Sequence, residues 1–123
     1  MRLIFMRNWT LWVLTVKKST LQSMKAVLNG TVIAEAPSDQ LVKIEGNWYF
    51  PPSAIKKEFF QESPTPYTCP WKGACQYYTL TVDGQAFPDR AWAYPSLRPG
   101  AVERVGTDFA SYVAFWKEVS VED

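Results

Sequence analysis

The chain has 123 residues, of which 47% are hydrophobic and 15% aromatic, so it is long and apolar enough for one hydrophobic core but not for two. Thirteen basic and twelve acidic residues give a net charge of +1, which provides no overall field to attract nucleic acid or an anionic membrane. The chain lacks histidine, which excludes Ser-His-Asp catalysis and Cys-His catalysis within one chain. Its two cysteines are too few for a zinc site of four thiolates. We therefore predict no metal or other cofactor.

Residues 9–16 form an apolar stretch with arginines before it and lysines after it, an outline that is typical of a signal peptide. The stretch is too short to span a bilayer, and the Lys-Lys-Ser-Thr that follows it is not a small-residue cleavage site. We therefore expect a cytoplasmic protein with no membrane partner. Because Met24 opens the first clean strand pattern, we interpret residues 1–23 as an extension. This extension is either a product of translation begun upstream of the natural start or an element that covers a sheet edge.

Three short polar turns, each containing a glycine, separate segments rich in β-branched and aromatic residues. Asn-Gly and Asp-Gly pairs tolerate the positive φ angles of two-residue hairpin turns, so this pattern predicts three β-hairpins. The predicted turns are Asn29-Gly30, Gly46-Asn47 and Asp83-Gly84. Their arms are residues 25–28 and 31–35, residues 41–45 and 48–50, and residues 75–82 followed by a strand from Gln85.

The remaining segments predict one helix, two loops and two further strands. Ile55 and Phe59 are four positions apart, which predicts a short helix over residues 54–60. Two prolines make residues 62–67 a rigid loop. Residues 91–94 and 112–119 read as strands, and residues 96–100 as a loop. The sequence thus predicts a mainly β fold, a single antiparallel domain over residues 24–123 with one short helix.

The segment Thr68-Cys69-Pro70-Trp71-Lys72-Gly73 carries the residue types of a site. A lysine desolvated by aromatic neighbours acts as a nucleophile or base, or holds an anion while charged, which makes Lys72 the first candidate catalytic residue. The alternative is a solvated lysine whose stem packs along Trp71. Cys69 is the second candidate, because a nearby ammonium makes a thiol more reactive. Its alternative is a small buried core residue, and a disulfide with Cys75 is not expected in a cytoplasmic chain.

Aromatic and acidic residues elsewhere in the chain supply candidate ligand contacts. Asp89 lies at the predicted start of a strand, where its side chain could enter a cleft and pair with Lys72, or remain a surface carboxylate. Trp48, Tyr49, Trp92 and Tyr94 could wall a pocket or pack in the core. The predicted ligand-binding residues are Thr68, Trp71, Asp89, Trp92 and Tyr94.

Five segments together carry a resemblance to a known family: residues 25–35, Trp48 to Ser53, Thr68 to Gly73, Asp89 to Pro95 and Val113 to Phe115. On these segments the chain resembles the domain of unknown function 427 family over residues 24–119. The resemblance implies a compact β domain similar to the β-tent fold of Mss4-type proteins and methionine sulfoxide reductases, without their zinc cysteines. Some classifications call the family nucleotidyltransferase-like, although the chain lacks the Gly-Ser helix start and the spaced Asp-x-Asp that would hold two metal ions.

These observations favour a domain that binds a small organic or anionic molecule at the Thr68 to Gly73 loop, with the question of catalysis left open. One alternative is a module that presents aromatic side chains to a protein or to single-stranded nucleic acid, although the near-zero net charge is not a nucleic-acid signal. The other alternative, a nucleotidyltransferase-like enzyme, depends on the resemblance alone.

Overall fold

A computed structural model of the protein describes residues 22–123, which form eleven β-strands in four antiparallel sheets and one short α-helix. The mainly β, antiparallel fold with one short helix is therefore confirmed. The comparison with a β-tent stays a prediction. The strands are β1 (Ser23–Leu28), β2 (Thr31–Pro37), β3 (Val42–Ile44), β4 (Asn47–Tyr49), β5 (Phe60–Glu62), β6 (Thr68–Cys69), β7 (Gly73–Ala74), β8 (Gln76–Val82), β9 (Gln85–Ala93), β10 (Val113–Phe115) and β11 (Ser120–Glu122).

Two larger sheets form the body of the domain. One has the strand order β11-β1-β2, and the other has the order β10-β9-β8-β5. The pairs β3-β4 and β6-β7 are separate two-stranded ribbons. The predicted extension falls mostly outside the described residues, but Ser23 already belongs to β1 and pairs with Pro37. No helix in residues 22–123 is long and apolar enough to cross a membrane.

The first and third hairpins turn at the predicted residues. Asn29 and Gly30 have φ angles of 52° and 77°, and Asp83 and Gly84 have φ angles of 51° and 78°. Positive φ at both central residues is the geometry of a type I′ turn, which suits the twist of the flanking strands. The predicted strand over residues 91–94 is the end of the long strand β9. The predicted strand over residues 112–119 is too long, because only Val113–Phe115 form β10, and β11 begins after it at Ser120.

The second hairpin turns one residue earlier than predicted. Ile44 pairs with Asn47, so the two central residues are Glu45 and Gly46, with φ angles of 53° and 85°. Glycine is favoured at the second central position of this turn, which places Glu45 at the first. A glutamate there has an unusual left-handed backbone conformation.

The predicted helix over residues 54–60 is wrong. Residues Pro52–Ala54 and Lys57–Phe59 form two separate 3-10 turns, and Ile55 between them makes an isolated antiparallel bridge with Ala34. The bridge between Ile55 and β2 keeps the backbone of Ile55 extended, so the four-residue spacing of Ile55 and Phe59 does not produce a helix. Within residues 22–123 the α-helix is α1 (Ala101–Val105), which ends at Gly106, a residue in the left-handed conformation.

Buried side chains form two hydrophobic clusters on opposite faces of β9 and β10. Ala91 and Ala93 belong to the first cluster, whereas Trp92 belongs to the second. Because successive residues of a strand point to opposite faces, one strand supplies both clusters. The first cluster is mainly aliphatic, and the second, which includes Tyr49, Trp92, Tyr94 and Phe109, is mainly aromatic. The candidate site lies on the aromatic side.

Candidate functional site

The ribbon of β6 and β7 positions Lys72 at its turn. Cys69 pairs with Gly73, and the backbone N–H of Lys72 donates to Sγ of Cys69 at 3.4 Å. The carbonyl of Lys72 accepts a hydrogen bond from the backbone N–H of Arg98 at 3.0 Å. Gly73 has a φ of +125°, and a Cβ atom on it would lie 2.7 Å from the carbonyl oxygen of Ser96. Only glycine allows this close approach, so the loop that follows β9 holds the ribbon and Lys72 in place.

A cleft of about 410 Å³ opens beside this ribbon. Aromatic side chains dominate its walls, and a single lysine and a single glutamate provide its charges. A few convergent polar groups between aromatic walls are typical of a site for a small molecule. The lining residues are Glu45, Asn47, Tyr49, Tyr67, Cys69, Pro70, Trp71, Lys72, Tyr77, Trp92, Tyr94 and Trp116.

Lys72 is the buried charge of the cleft, with only 4% of its surface exposed. Its Nζ atom donates to Oε1 of Glu45 at 2.5 Å and lies 4.7 Å and 5.4 Å from the ring centroids of Trp71 and Tyr94. The hydrogen bond from Lys72 lowers the pKa of the Glu45 carboxyl, which is therefore ionised at neutral pH. A carboxylate and two aromatic faces thus compensate a charge that would be costly to bury alone.

Two tyrosines of the cleft are held as neutral phenols. Burial raises the pKa of Tyr49 to about 12, and burial also raises the pKa of Tyr94. The indole N–H of Trp92 donates to the hydroxyl of Tyr49 at 3.1 Å, and the two rings meet edge to face. These side chains form a well-packed part of the cleft wall, in which the Tyr49 hydroxyl accepts a hydrogen bond from Trp92.

The rim of the cleft is formed by two exposed aromatic residues. The exposed fractions of Tyr67 and Trp116 are 49% and 41%. Trp116 stacks on Tyr77 with ring centroids 6.4 Å apart, and its indole N–H donates to the carbonyl of Asp89 at 2.6 Å. The Trp116 ring is therefore held in position even though it faces solvent.

The structure brings together five of the seven residues predicted for the site. Cys69, Trp71, Lys72, Trp92 and Tyr94 all line the cleft. Thr68 is exposed and lies outside that lining.

Of the two possibilities for Asp89, the pair with Lys72 is not formed. Oδ2 of Asp89 accepts a hydrogen bond from Oγ1 of Thr65 at 2.7 Å, and Glu45 is the partner of Lys72. Asp89 has a φ of 57°, so the strand deviates there from an extended conformation. Asp89 thereby joins the proline-containing loop to β9 and is not part of the cleft lining.

Both cysteines are free thiols, and neither environment is that of an activated nucleophile. Cys69 is 5% exposed and belongs to the aromatic cluster. Burial raises the pKa of the Cys75 thiol to about 11, so Cys75 is protonated at neutral pH. Within residues 22–123 no three His, Cys, Asp or Glu side chains form a group that could hold a metal ion.

Sequence reasoning missed Glu45 and the two rim residues. Glu45 is 27 positions from Lys72, and no local pattern connects the two. The available signal was the Glu-Gly pair of the second hairpin, because a glutamate is an unusual first residue for a type I′ turn. Tyr67 and Trp116 have no such signal, since both lie outside strands, Tyr67 in the proline-containing loop and Trp116 directly after β10.

A small antiparallel β domain with one aromatic cleft is the class of protein that this fold and site define. Residues 15–123 match the family described as Domain of unknown function (DUF427), and the chain belongs to this family. The match begins at residue 15, within the segment that the sequence analysis interprets as an extension. Comparison with curated proteins gives no match.

Proposed function

We propose that the cleft binds a small organic molecule with a flat ring and a polar group, and that Lys72 contacts the polar group. The observation that carries this proposal is a buried ammonium within a cleft of about 410 Å³ walled by aromatic rings. Ring faces provide stacking surfaces, and Lys72 has donors beyond the one that it gives to Glu45. The domain would act in the cytoplasm, as its sequence leads us to expect.

The roles of the two candidate catalytic residues differ in this proposal. Lys72 is the ligand contact and the first group to test for chemistry, because it lines the cleft and its Nζ atom lies 5.4 Å from the ring centroid of Tyr94, another lining residue. Cys69 is assigned to packing, because it is buried and its Sγ accepts the N–H of Lys72. Its contribution is to fix the backbone of the residue that contacts the ligand.

A thermal-shift screen of small aromatic compounds tests the proposal. Compounds that raise the melting temperature of the native protein should lose this effect on Lys72→Met, which keeps an unbranched stem but removes the ammonium. Lys57→Met is the matched control, because Lys57 is exposed and lines a hollow that shares no residue with the cleft. Hits that stabilise Lys72→Met as strongly as the native protein would refute the role of Lys72.

A second candidate function is a module that binds a protein or single-stranded nucleic acid through the exposed rim residues Tyr67 and Trp116. Filter binding of a single-stranded oligonucleotide at increasing salt distinguishes this candidate, because nucleic-acid affinity must fall with salt.

The nucleotidyltransferase-like alternative predicts Mg²⁺-dependent turnover of nucleoside triphosphates, and we expect none.

A further inference from the structure

Two arginines lie next to the cleft and have no part in the proposed function so far. Arg98 and Arg104 line a hollow of about 260 Å³, and this hollow shares Pro70 and Trp71 with the cleft. Within residues 22–123 neither arginine forms a salt bridge. Both residues are exposed, so their guanidinium groups are accessible to a ligand.

Neighbouring structure holds the side chain of Arg104 and the backbone of Arg98. The guanidinium of Arg104 lies 4.2 Å from the ring centroid of Trp71, and that ring packs edge to face on the buried Phe109. The backbone of Arg98 donates to Lys72 and accepts a hydrogen bond from the N–H of Ala101 at 3.1 Å. The contact with Trp71 reduces the conformational entropy that the Arg104 side chain loses when it binds an anion, and the fixed backbone of Arg98 sets where its side chain begins.

The cleft and the hollow lined by the two arginines differ in their net charge. In the cleft, Glu45 already neutralises Lys72, so the cleft can give hydrogen bonds but has little charge left for an anion. Arg98 and Arg104 together provide two positive charges in the adjoining hollow. A third hollow borders Trp71 and contains Lys43, Arg104 and the Glu45 carboxylate, whose pKa is lowered chiefly by Lys72 and also by the charge of Arg104. The net positive charge thus lies beside the aromatic cleft and not within it.

We propose that Arg98 and Arg104 form an anion subsite for a phosphate monoester whose aromatic ring lies in the cleft. Two guanidinium groups match the charge and the multiple acceptor oxygens of a phosphate dianion. A ligand lying across Pro70 and Trp71 reaches both the cleft and the hollow. This inference depends on the proposed function, since it names the class of molecule that the cleft takes.

Calorimetric titration with phenol and phenyl phosphate tests the subsite, because the two probes share a ring and differ by the phosphate. The native protein should bind phenyl phosphate at least about tenfold more tightly than phenol. In the double variant Arg98→Met and Arg104→Met the two probes should bind about equally. The control is Lys56→Met with Lys57→Met, which removes two exposed lysine charges from another face and should preserve the difference.

The subsite is refuted if native protein does not bind phenyl phosphate, if it binds both probes equally, or if the phosphate advantage persists without the two arginines. The proposed function is tested separately on Lys72→Met. Phenol binding that is unchanged by Lys72→Met would count against the cleft proposal. The ratio of the two affinities within each protein reports on the arginines alone.

Discussion

The ion pair between Lys72 and Glu45 is buried at one end only. The Lys72 side chain is 5% exposed, whereas that of Glu45 is 56% exposed. Loss of Glu45 therefore leaves a nearly buried ammonium without its counter-ion, whereas loss of Lys72 leaves a carboxylate that water can solvate. This asymmetry means that Glu45 is the partner that can move, and Lys72 the one that is fixed.

The pH dependence of the free energy of unfolding reports how much the ion pair between Lys72 and Glu45 contributes to stability. The hydrogen bond from Lys72 lowers the pKa of Glu45 below its ordinary value of 4.5, so the contribution to stability is present above that value and is lost as the pH falls through the lowered pKa. As the pH falls below the ordinary pKa of 4.5, the native protein should therefore lose stability relative to Lys72→Met in urea unfolding. Lys57→Met should follow the native curve, and a native curve parallel to that of Lys72→Met would contradict the prediction.

At the scale of elements, the hairpin of β3 and β4 holds its glutamate in a conformation that asparagine or glycine adopts more easily. The φ of Glu45 is 53°, close to that of Asn29 and Asp83 at the same position of the other two hairpins. A left-handed glutamate costs on the order of 1 kcal/mol, which suggests that the residue is retained for its contact with Lys72.

A double-mutant cycle tests this interpretation. Glu45→Asn should stabilise the Lys72→Met protein by about 1 kcal/mol, because the turn is relieved and no ion pair is lost. In the native background the same change should destabilise, because an unpaired buried ammonium costs about 1 to 3 kcal/mol. Both values come from chemical denaturation. Equal stabilisation by Glu45→Asn in the two backgrounds would show that the ion pair with Lys72 does not compensate the cost of glutamate in this turn.

The ribbon of β6 and β7 depends on Gly73 in a way that other glycines of the chain do not share. Gly73→Ala places a methyl group 2.7 Å from a backbone carbonyl, so either the ribbon or the loop at Ser96 must move. We expect a loss of more than about 2 kcal/mol in the free energy of unfolding. Gly84→Ala is the control, because Gly84 also has a positive φ but has no neighbour within 4 Å, and it should cost only about 1 kcal/mol. Equal losses would rule out a steric role for Gly73.

The sequence predicted the elements that depend on local chemistry. Asn29-Gly30 and Asp83-Gly84 specify their turns alone, and Lys72 stands out because its neighbours in the chain are aromatic or glycine. The helix over residues 54–60 was wrong because Ile55 pairs with Ala34, a contact that spacing cannot reveal. Glu45 was missed for the same reason, since its value to the site is a contact with a residue far along the chain.

At the scale of the whole molecule, the two hydrophobic clusters are joined through shared strands. Residues 91–93 of β9 and residues 113–115 of β10 point alternately into the aliphatic and the aromatic cluster. The aromatic cluster that supports the cleft therefore cannot lose its packing while the sheet that carries the aliphatic cluster stays intact. The cleft should be as stable as the domain itself.

This coupling predicts a single unfolding transition even when one cluster is damaged. Phe109→Ala removes a fully buried ring that packs on Tyr49 and Trp71, and it should cost about 3 to 5 kcal/mol. Leu80→Ala removes a fully buried side chain of the aliphatic cluster and should cost about 2 to 5 kcal/mol. In both variants, tryptophan fluorescence and far-UV circular dichroism should change at the same urea concentration. The contrary result would be a fluorescence transition at lower urea than the loss of the strand signal, seen in Phe109→Ala but not in Leu80→Ala. It would show that the cleft side opens independently and is a low-stability region of the domain.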